Sequence, residues 1–401
     1  MLCLLFFPAC LRRNDVNHEP IMVNEVENEE TAVIIDPILA RAAAIAASLD
    51  DRLLVAQSLI CGIDGKEKLP AYMKTLLEEC PAGGVMLFKY NLDTDNDSIR
   101  RLLAETVSLI LDESGLPPFM AVDHEGGFVN RFLRGVAALP VASSYWELSL
   151  EEGREETLSK IEADSLSAGR EINGLGINLN FAPVAEFLND NNRDFLEYRS
   201  YGPDPLFTAE AAAAFVRGME QAGVLCVIKH FPGSAGPDPH YSPSVLKGDR
   251  AALDSLVYPF AALINNGARA VMVAHTSAPA VDSEIASLSA AVMGNWLRRD
   301  LGFNGIIISD DFLMAAAAGN RSSEESAIIS IAAGADMILV WPPYIRQTHR
   351  AFLSALKDGR LSRERMREAA ARIIYEKIKM GLIANEQLEI SNEQLGMKSE
   401  K

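Results

Sequence analysis

The chain has 401 residues, of which 49% are hydrophobic and 23% are charged. This is the composition of an ordinary globular protein, so disordered, collagen-like and disulfide-scaffold classes are excluded. The net charge is −18, from 37 basic and 55 acidic residues. Because such a charge repels phosphate backbones and the sequence contains no local basic patch, we expect no nucleic-acid partner.

The N-terminal segment, residues 1–36, is predicted to precede the folded domain. It opens with the apolar run MLCLLFFPAC, which is too short to span a bilayer and resembles the end of a lipoprotein signal with cleavage between Ala9 and Cys10. The polar, acidic residues that follow are typical of a tether. We therefore expect a location in the cell envelope, with membrane attachment only through a lipidated Cys10. If the run is an apolar tail and not a signal, a cytoplasmic location is expected.

The five cysteines show neither the spacing of a zinc site nor that of a disulfide framework. Cys61 and Cys226 lie in apolar runs, and this predicts buried, unreactive thiols. At the other end of the chain, residues 385–401 are predicted to form a polar tail.

Short apolar runs alternate with amphipathic helical patterns between residues 37 and 384. The eight runs are Ser58–Cys61, Gly84–Phe88, Phe119–Val122, Ile177–Phe181, Leu225–Lys229, Ala270–Ala274, Ile306–Ser309 and Met337–Val340. Most are continuously apolar, which is typical of strands covered on both faces. Eight such strands with helical connections favour a single-domain (β/α)8 barrel of the TIM type, in the α/β class. A doubly wound open sheet is the alternative, but no Gly-x-Gly-x-x-Gly motif follows the first run.

Several helix boundaries are also predicted. Ser48 precedes Leu49-Asp50-Asp51 and is typical of an N-cap with acidic residues in the first turn. Helical spacing extends over Glu210–Ala222 and over Asp254–Asn265, and a glycine follows each pattern where a helix should end.

Polar residues collect where the predicted strands end, and this is the edge of a barrel that carries active sites. They are Asp123 and Arg131 after the third strand, Arg199 on the loop after the fourth, Lys229 and His230 at the end of the fifth, Asp238 and His240 beyond them, and Asp310 and Asp311 after the seventh. Each alone is a weak signal. Gathered on one rim they indicate a site, because charged side chains are seldom held in a closed site without partners.

These residue types fit the hydrolysis of a glycosidic bond. Retaining cleavage needs a carboxylate nucleophile below the anomeric carbon and an acid/base group near the leaving oxygen. Asp310 follows a buried strand and is placed rigidly enough to be the nucleophile. Asp238 can orient the imidazole of His240 and raise its basicity, which suits this pair to the acid/base role. Of the other residues, Asp123 is well suited to bind two sugar hydroxyls.

Three neighbours of this set have structural interpretations. Asp311 is expected to cap a helix over Phe312–Ala318. His275, at the end of the sixth run, is expected to form supporting hydrogen bonds. Trp341 follows the eighth run and either packs in the core or lines the mouth of the site.

The strings AVDHEGGFVNRF, NLNFAPVAEF, YRSYG, KHFPG, DPH and ISDDFLM occur in this order between about Ser48 and Gly381. They resemble the pattern of glycoside hydrolase family 3, and most of all its bacterial single-domain β-N-acetylhexosaminidases. The resemblance implies a retaining mechanism without metal or cofactor, acting on terminal β-linked N-acetylglucosamine of peptidoglycan fragments or chitooligosaccharides. It assigns Asp310 as the nucleophile, His240 with Asp238 as the acid/base, and Asp123, Arg131, Arg199, Lys229 and His230 as substrate-binding residues. We expect a monomer.

The sequence departs from the family pattern in three places. In the first string, His124 replaces a glutamine and Phe128 replaces an arginine, and the loop that follows KHFPG is shorter and begins with Ser234. Two alternatives to the main interpretation stay open. One is a β-glucosidase-like exo-glycosidase of the same family, and the other is a lipid-anchored carbohydrate-binding protein with weakened catalysis.

Overall fold

The computed structural model describes residues 36–132, 135–236, 242–313 and 321–383. The predictions about Cys10, the acidic tether and the polar tail fall outside these ranges and stay predictions. The same holds for the placement of the predicted acid/base pair, Asp238 and His240.

Eight parallel strands close into a barrel. They are β1 (Leu59–Gly62), β2 (Gly84–Leu87), β3 (Phe119–Val122), β4 (Leu179–Asn180), β5 (Leu225–Phe231), β6 (Ala270–Val273), β7 (Ile306–Ser309) and β8 (Met337–Val340). Each strand pairs with the next along the chain, and the ring closes where Leu59 of β1 lies opposite Ile338 of β8. Every strand overlaps a predicted apolar run, so the predicted (β/α)8 barrel is confirmed.

Two small sheets extend the loops at the carboxyl ends of the barrel strands. An antiparallel hairpin, formed by His124–Gly126 and Val129–Asn130, directly follows β3. A three-stranded sheet is formed by Ser244–Val245, Thr276–Ala278 and Asp282–Ile285. The hairpin carries Glu125, and Asp123 lies between it and β3.

Helices connect the strands around the outside of the barrel. They are α1 (Pro37–Ser48), α2 (Asp51–Gln57), α3 (Ala71–Glu79), α4 (Lys89–Leu92), α5 (Asn96–Ser114), α6 (Ala142–Glu151), α7 (Arg154–Asn173), α8 (Arg193–Leu196), α9 (Pro205–Gln221), α10 (Arg250–Leu256), α11 (Tyr258–Asn265), α12 (Ser323–Ala333), α13 (Ile345–Asp358) and α14 (Arg363–Lys379). A π-helix covers Ala291–Asp300, and short 3₁₀ turns cover Glu197–Arg199, Ala286–Leu288 and Pro342–Tyr344. Within the described ranges, no helix combines the length and the apolar character needed to cross a membrane.

Side chains of the strands alternate between the inside and the outside of the barrel. In β3, Phe119 and Ala121 belong to the interior core, whereas Met120 belongs to the layer packed beneath the helices. Apolar side chains from all eight strands fill the interior, so the centre is a packed core and not a channel. Cys61 and Cys226 are buried in the outer layer, as predicted, and burial raises the pKa of both thiols.

Two predicted helix boundaries are wrong. Ser48 ends α1, and the N-cap of α2 is Asp50, whose carboxylate accepts a hydrogen bond from the N–H of Leu53 at 2.8 Å. The pattern over Asp254–Asn265 is divided between α10 and α11. The first helix stops because Pro259 has no N–H with which to continue its hydrogen bonds.

Helix α14 closes the barrel at the amino ends of the strands. Ile373 joins the interior core, and Lys377 is fully buried with its Nζ 5.3 Å from the ring centroid of Phe119, the first residue of β3. The same Nζ donates to Oε1 of Gln57 at 2.8 Å. Burial lowers the pKa of Lys377 to about 7, because little replaces the water that would solvate the charge.

The burial of Lys377 predicts a pH-dependent stability. Its pKa is about 7 in the folded protein against an ordinary value of 10.5, so between these values the unfolded chain binds more protons and stability rises with pH. From pH 8 to pH 9, the free energy of unfolding should rise by about 1 kcal/mol more in the wild type than in Lys377→Met. Denaturant unfolding at both pH values checks this.

The matched control for this measurement is Lys379→Met, because Lys379 is exposed on the same helix. The control should keep the wild-type slope of stability against pH. Equal slopes in the wild type and in Lys377→Met would contradict a neutral buried lysine.

Candidate active site

The carboxyl ends of the barrel strands open into one cavity of about 590 Å³. It is lined by six of the eight predicted site residues, which are Asp123, Arg131, Arg199, Lys229, His230 and Asp310. The other two, Asp238 and His240, lie outside the described residues. The volume falls within the range of about 300–1,000 Å³ that is usual for small-molecule sites.

The hairpin after β3 positions the first acidic residues of the site. Its turn uses Gly126 and Gly127, which have φ angles of 107° and 54°, and a Cβ on Gly126 would collide with the carbonyl oxygen of Pro140. Asn180, at the end of β4, ties the hairpin to the barrel. Its side chain accepts from the N–H of His124 at 2.9 Å and donates to the carbonyl of His124 at 3.0 Å. The positive φ angles and the close approach of Pro140 together explain why the turn of the hairpin requires the Gly-Gly pair of the motif.

Asp123 joins two of the predicted cations. Nζ of Lys229 lies 2.9 Å from its Oδ1, and Nη2 of Arg131 lies 3.0 Å from its Oδ2. Burial alone would raise the pKa of this carboxyl, but the two cations outweigh burial and hold the pKa below its ordinary value. Each oxygen keeps a further lone pair that can accept a hydrogen bond from a ligand.

Glu125 is a site residue that the sequence analysis missed. Its carboxylate accepts two hydrogen bonds from Arg199, each at 2.9 Å, and its Oε1 lies 2.6 Å from Nζ of Lys229. Burial opposes the negative charge, but Arg199 and Lys229 hold the pKa of Glu125 well below its ordinary value. The two-point contact fixes the guanidinium plane of Arg199, which also lies 5.2 Å from the ring centroid of Phe195.

A second missed carboxylate, Glu186, holds His230. Its Oε1 lies 2.8 Å from Nδ1 of His230, and its Oε2 accepts from the backbone N–H of Ser234 at 2.6 Å. A carboxylate accepts, so Nδ1 carries the proton, and Nε2 accepts from Nη2 of Arg199 at 3.3 Å. The hydroxyl of Ser234, the residue at which the shortened loop begins, also donates to Oε1 of Glu186 at 3.1 Å, so the side chain at this departure from the family pattern contributes a contact to the site.

Asp310 directly follows β7 and faces the cavity. Its backbone N–H donates to the carbonyl of Val273 at 3.2 Å, and its Oδ1 accepts from the backbone N–H of Asp311 at 2.8 Å. Backbone contacts therefore hold Asp310, whereas buried ion pairs hold Asp123 and Glu125.

Asp311 connects the site to an aromatic wall. Its Oδ2 accepts a hydrogen bond from Nε1 of Trp341, and the indole stacks on Phe88 with ring centroids 4.4 Å apart. Both rings line the cavity. Of the two positions predicted for Trp341, the one at the mouth of the site is therefore correct. Burial raises the pKa of Asp311.

The structure also tests the predicted supporting roles of Asp311 and His275. Oδ1 of Asp311 accepts from the N–H of Leu313 at 2.9 Å, as a cap would, but most of the predicted helix Phe312–Ala318 lies outside the described residues. Nε2 of His275 donates to the carbonyl of Asp311 at 2.9 Å, and its Nδ1 accepts from the hydroxyl of Ser287 at 2.7 Å. The supporting role expected for His275 is confirmed.

His124, at which the sequence departs from the family pattern, is the first residue of the hairpin and does not line the cavity. Its ring is fully buried and meets Phe132 edge to face, with centroids 5.4 Å apart. Burial lowers the pKa of His124 to about 4, so the ring is uncharged at neutral pH. This departure therefore changes packing behind the site and not the charges inside it.

Comparisons with known proteins identify the family. The model of the glycosyl hydrolase family 3 N terminal domain matches residues 53–375. The chain belongs to glycosyl hydrolase family 3. It is thus an enzyme of the glycoside hydrolase class, and the family resemblance seen in the sequence motifs is confirmed.

Relatives in family 3 are named for amino-sugar hydrolysis. A β-hexosaminidase of Neisseria gonorrhoeae is 36% identical over 264 residues, which are 64% of this chain and 71% of the relative. A β-N-acetylglucosaminidase structure from Paenibacillus has a TM-score of 0.78 at 31% identity, over 84% of this chain and 64% of that chain. NagZ from Neisseria gonorrhoeae, in complex with N-trifluoroacetyl-D-glucosamine, has a TM-score of 0.67 at 29% identity, over 80% of this chain and 89% of that chain. The chain therefore spans slightly less than two thirds of the Paenibacillus protein.

The buried position of Glu125 predicts a large loss of stability when its charge is removed. Glu125→Gln should lower the free energy of unfolding by about 3 kcal/mol, because Arg199 loses its buried counter-charge. The loss should shrink below about pH 4, because a carboxylate with a lowered pKa contributes its stability above its ordinary pKa and loses it as the pH falls. Denaturant unfolding measures both effects.

The matched control is Glu79→Gln, which removes another two-point contact between a glutamate and an arginine, here Arg346, on the surface. Glu79→Gln should lower the free energy of unfolding by less than about 1 kcal/mol, because water solvates both charges of this surface pair. Equal losses in the two variants would contradict a special role of the buried pair.

Proposed function

We propose that this family 3 enzyme is a retaining exo-glycosidase that removes terminal β-linked N-acetylglucosamine from peptidoglycan fragments or chitooligosaccharides. The observation that carries the proposal is the meeting of Asp310 with five predicted substrate-binding residues in one cavity. The names of the relatives support an amino sugar, as does the N-acylated glucosamine in the neisserial complex. These names favour the proposal over a β-glucosidase-like activity.

The charged groups of the cavity suit the hydroxyl groups of one sugar ring. Asp123 offers acceptors, and Lys229 has three N–H donors, of which Asp123 and Glu125 engage two. The third donor remains for a ligand. Because buried ion pairs fix these groups before substrate arrives, little ordering is left to be done on binding.

In the proposed first step, a carboxylate oxygen of Asp310 attacks the anomeric carbon while the bond from that carbon to the leaving oxygen breaks. His240, oriented by Asp238, gives its proton to the leaving oxygen, which departs as a hydroxyl group. The sugar stays on the enzyme as an ester of Asp310.

In the proposed second step, a water molecule enters where the leaving group stood. His240 takes a proton from this water as its oxygen attacks the anomeric carbon, and the ester bond to Asp310 breaks. The carboxylate and the protonated imidazole are restored. Two inversions at one carbon give a product with the original β configuration.

The substrate class is tested by hydrolysis of 4-nitrophenyl β-N-acetylglucosaminide and of the matching β-glucoside by the full chain. We expect turnover of the amino sugar, with kcat/KM at least about tenfold above that of the glucoside. Faster turnover of the glucoside would support the β-glucosidase alternative. Saccharide binding without turnover of either substrate would support the carbohydrate-binding alternative.

The role of Asp310 is tested by Asp310→Asn, which should reduce kcat about a thousandfold or more, because an amide is a poor nucleophile. The matched variant is Asp311→Asn. Asp311 contacts the Asp310 carboxylate through a backbone N–H that the substitution keeps, so the loss should be about tenfold or less. Full activity of Asp310→Asn, with the amide verified by mass spectrometry, would contradict the proposed nucleophile.

A further inference from the structure

Two exposed aromatic side chains stand beside the cavity. Phe128 is 79% exposed, more than any other large hydrophobic side chain in the described ranges, and Tyr198 is 55% exposed. Their ring centroids lie 5.8 Å apart, with the ring planes inclined by 45°. Apolar surface is unfavourable in water, so a paired and exposed set of rings indicates a surface that a ligand covers.

Both rings are carried by segments that also line the cavity. Phe128 lies in the turn of the hairpin that supplies Glu125 and Val129 to the lining, and Tyr198 immediately precedes Arg199. The two-point ion pair between Glu125 and Arg199 joins these segments. The contact that positions the sugar-binding groups therefore also connects the two segments that carry the aromatic rings.

The backbone before Tyr198 is held in an unusual conformation. Glu197 has a φ of 46° and a ψ of −114°, and it is the only non-glycine residue with a positive φ in the described ranges. Residues with a side chain rarely adopt this conformation, and it persists where surrounding contacts fix it, often at binding sites. Of the two residues that follow Glu197, Arg199 lines the cavity and Tyr198 has an exposed ring.

We infer that Phe128 and Tyr198 form the platform for the sugar unit on the leaving-group side of the scissile bond. This inference rests on the proposed function and extends it. A pyranose ring has a face of C–H groups that packs on aromatic rings while its hydroxyl groups stay in water. A chain of two sugars, with the first in the cavity, places the second at the edge where these rings stand.

The size of the aromatic pair favours a saccharide over a protein partner. A stable protein interface buries about 1,200–2,000 Å² in total, far more than two adjacent rings supply. Both side chains are uncharged, so the surface they form is apolar. We therefore assign the platform to an uncharged sugar unit such as N-acetylglucosamine.

The test compares two substrates that differ only on the leaving-group side, N,N′-diacetylchitobiose and methyl β-N-acetylglucosaminide. Phe128→Ala and Tyr198→Ala should each lower kcat/KM for the disaccharide about three- to tenfold and leave kcat/KM for the methyl glycoside unchanged. Phe128→Trp should retain the wild-type preference. Activity on the methyl glycoside also verifies that each variant is folded.

The control is Tyr258→Ala, which removes an aromatic ring that is 42% exposed on α11 and lies outside the cavity lining. It should leave both substrates unaffected. If Phe128→Ala and Tyr198→Ala lower neither activity, or lower both equally, the platform is refuted while the proposed function stands. If the wild type cleaves neither saccharide, the proposed function fails and the platform fails with it.

Discussion

Buried charge is the constraint on which the site depends. Glu125 and Lys229 are almost removed from water, and an unpaired charge in such a place is strongly unfavourable. Glu125 is therefore offset by Arg199 and Lys229, and Lys229 by Asp123 and Glu125. These pairs join the hairpin after β3, the turn Glu197–Arg199 and the end of β5. None of these segments can move alone without leaving a charge unpaired, so the geometry of the cavity is set before a ligand binds.

The two ends of the barrel use buried charge differently. At the amino ends of the strands, the fully buried Asp336 is paired with Arg298, Arg365 and Arg372, which holds helices and strands together away from the cavity. At the carboxyl ends, the ion pairs leave acceptor sites on Asp123 and one N–H donor of Lys229 available to a ligand. Asp310 differs from both groups, because a strand end and backbone contacts hold it. Rigid binding groups around a carboxylate that strand β7 positions are what a two-step displacement requires.

The sequence predicts the barrel and most of the cavity because both follow from local patterns. Apolar runs mark the strands, and parallel strands bring their carboxyl ends to one rim, so Asp123, Lys229 and Asp310 meet whatever their loops do. The supporting carboxylates could not be predicted in this way. Glu125 and Glu186 lie 74 and 44 residues from their partners Arg199 and His230. Nothing in the sequence around either glutamate distinguishes it from an acidic residue on the surface. The burial of Lys377 could not be predicted either, because its helix is rich in charged residues and only the position of the barrel shows which of them is buried.

We propose that Asp310 forms a covalent bond to the sugar, and trapping that bond tests this proposal most directly. In a 5-fluoro-N-acetylglucosaminyl fluoride, the ring fluorine slows both steps, because both transition states carry positive charge on the sugar. The good leaving group speeds only the first step, so the covalent adduct accumulates. Mass spectrometry of the full chain after incubation should show one added sugar, and digestion should place it on the peptide that contains Asp310. Active enzyme that never accumulates the adduct, or that carries it on a peptide without Asp310, would contradict the role of Asp310 as the nucleophile.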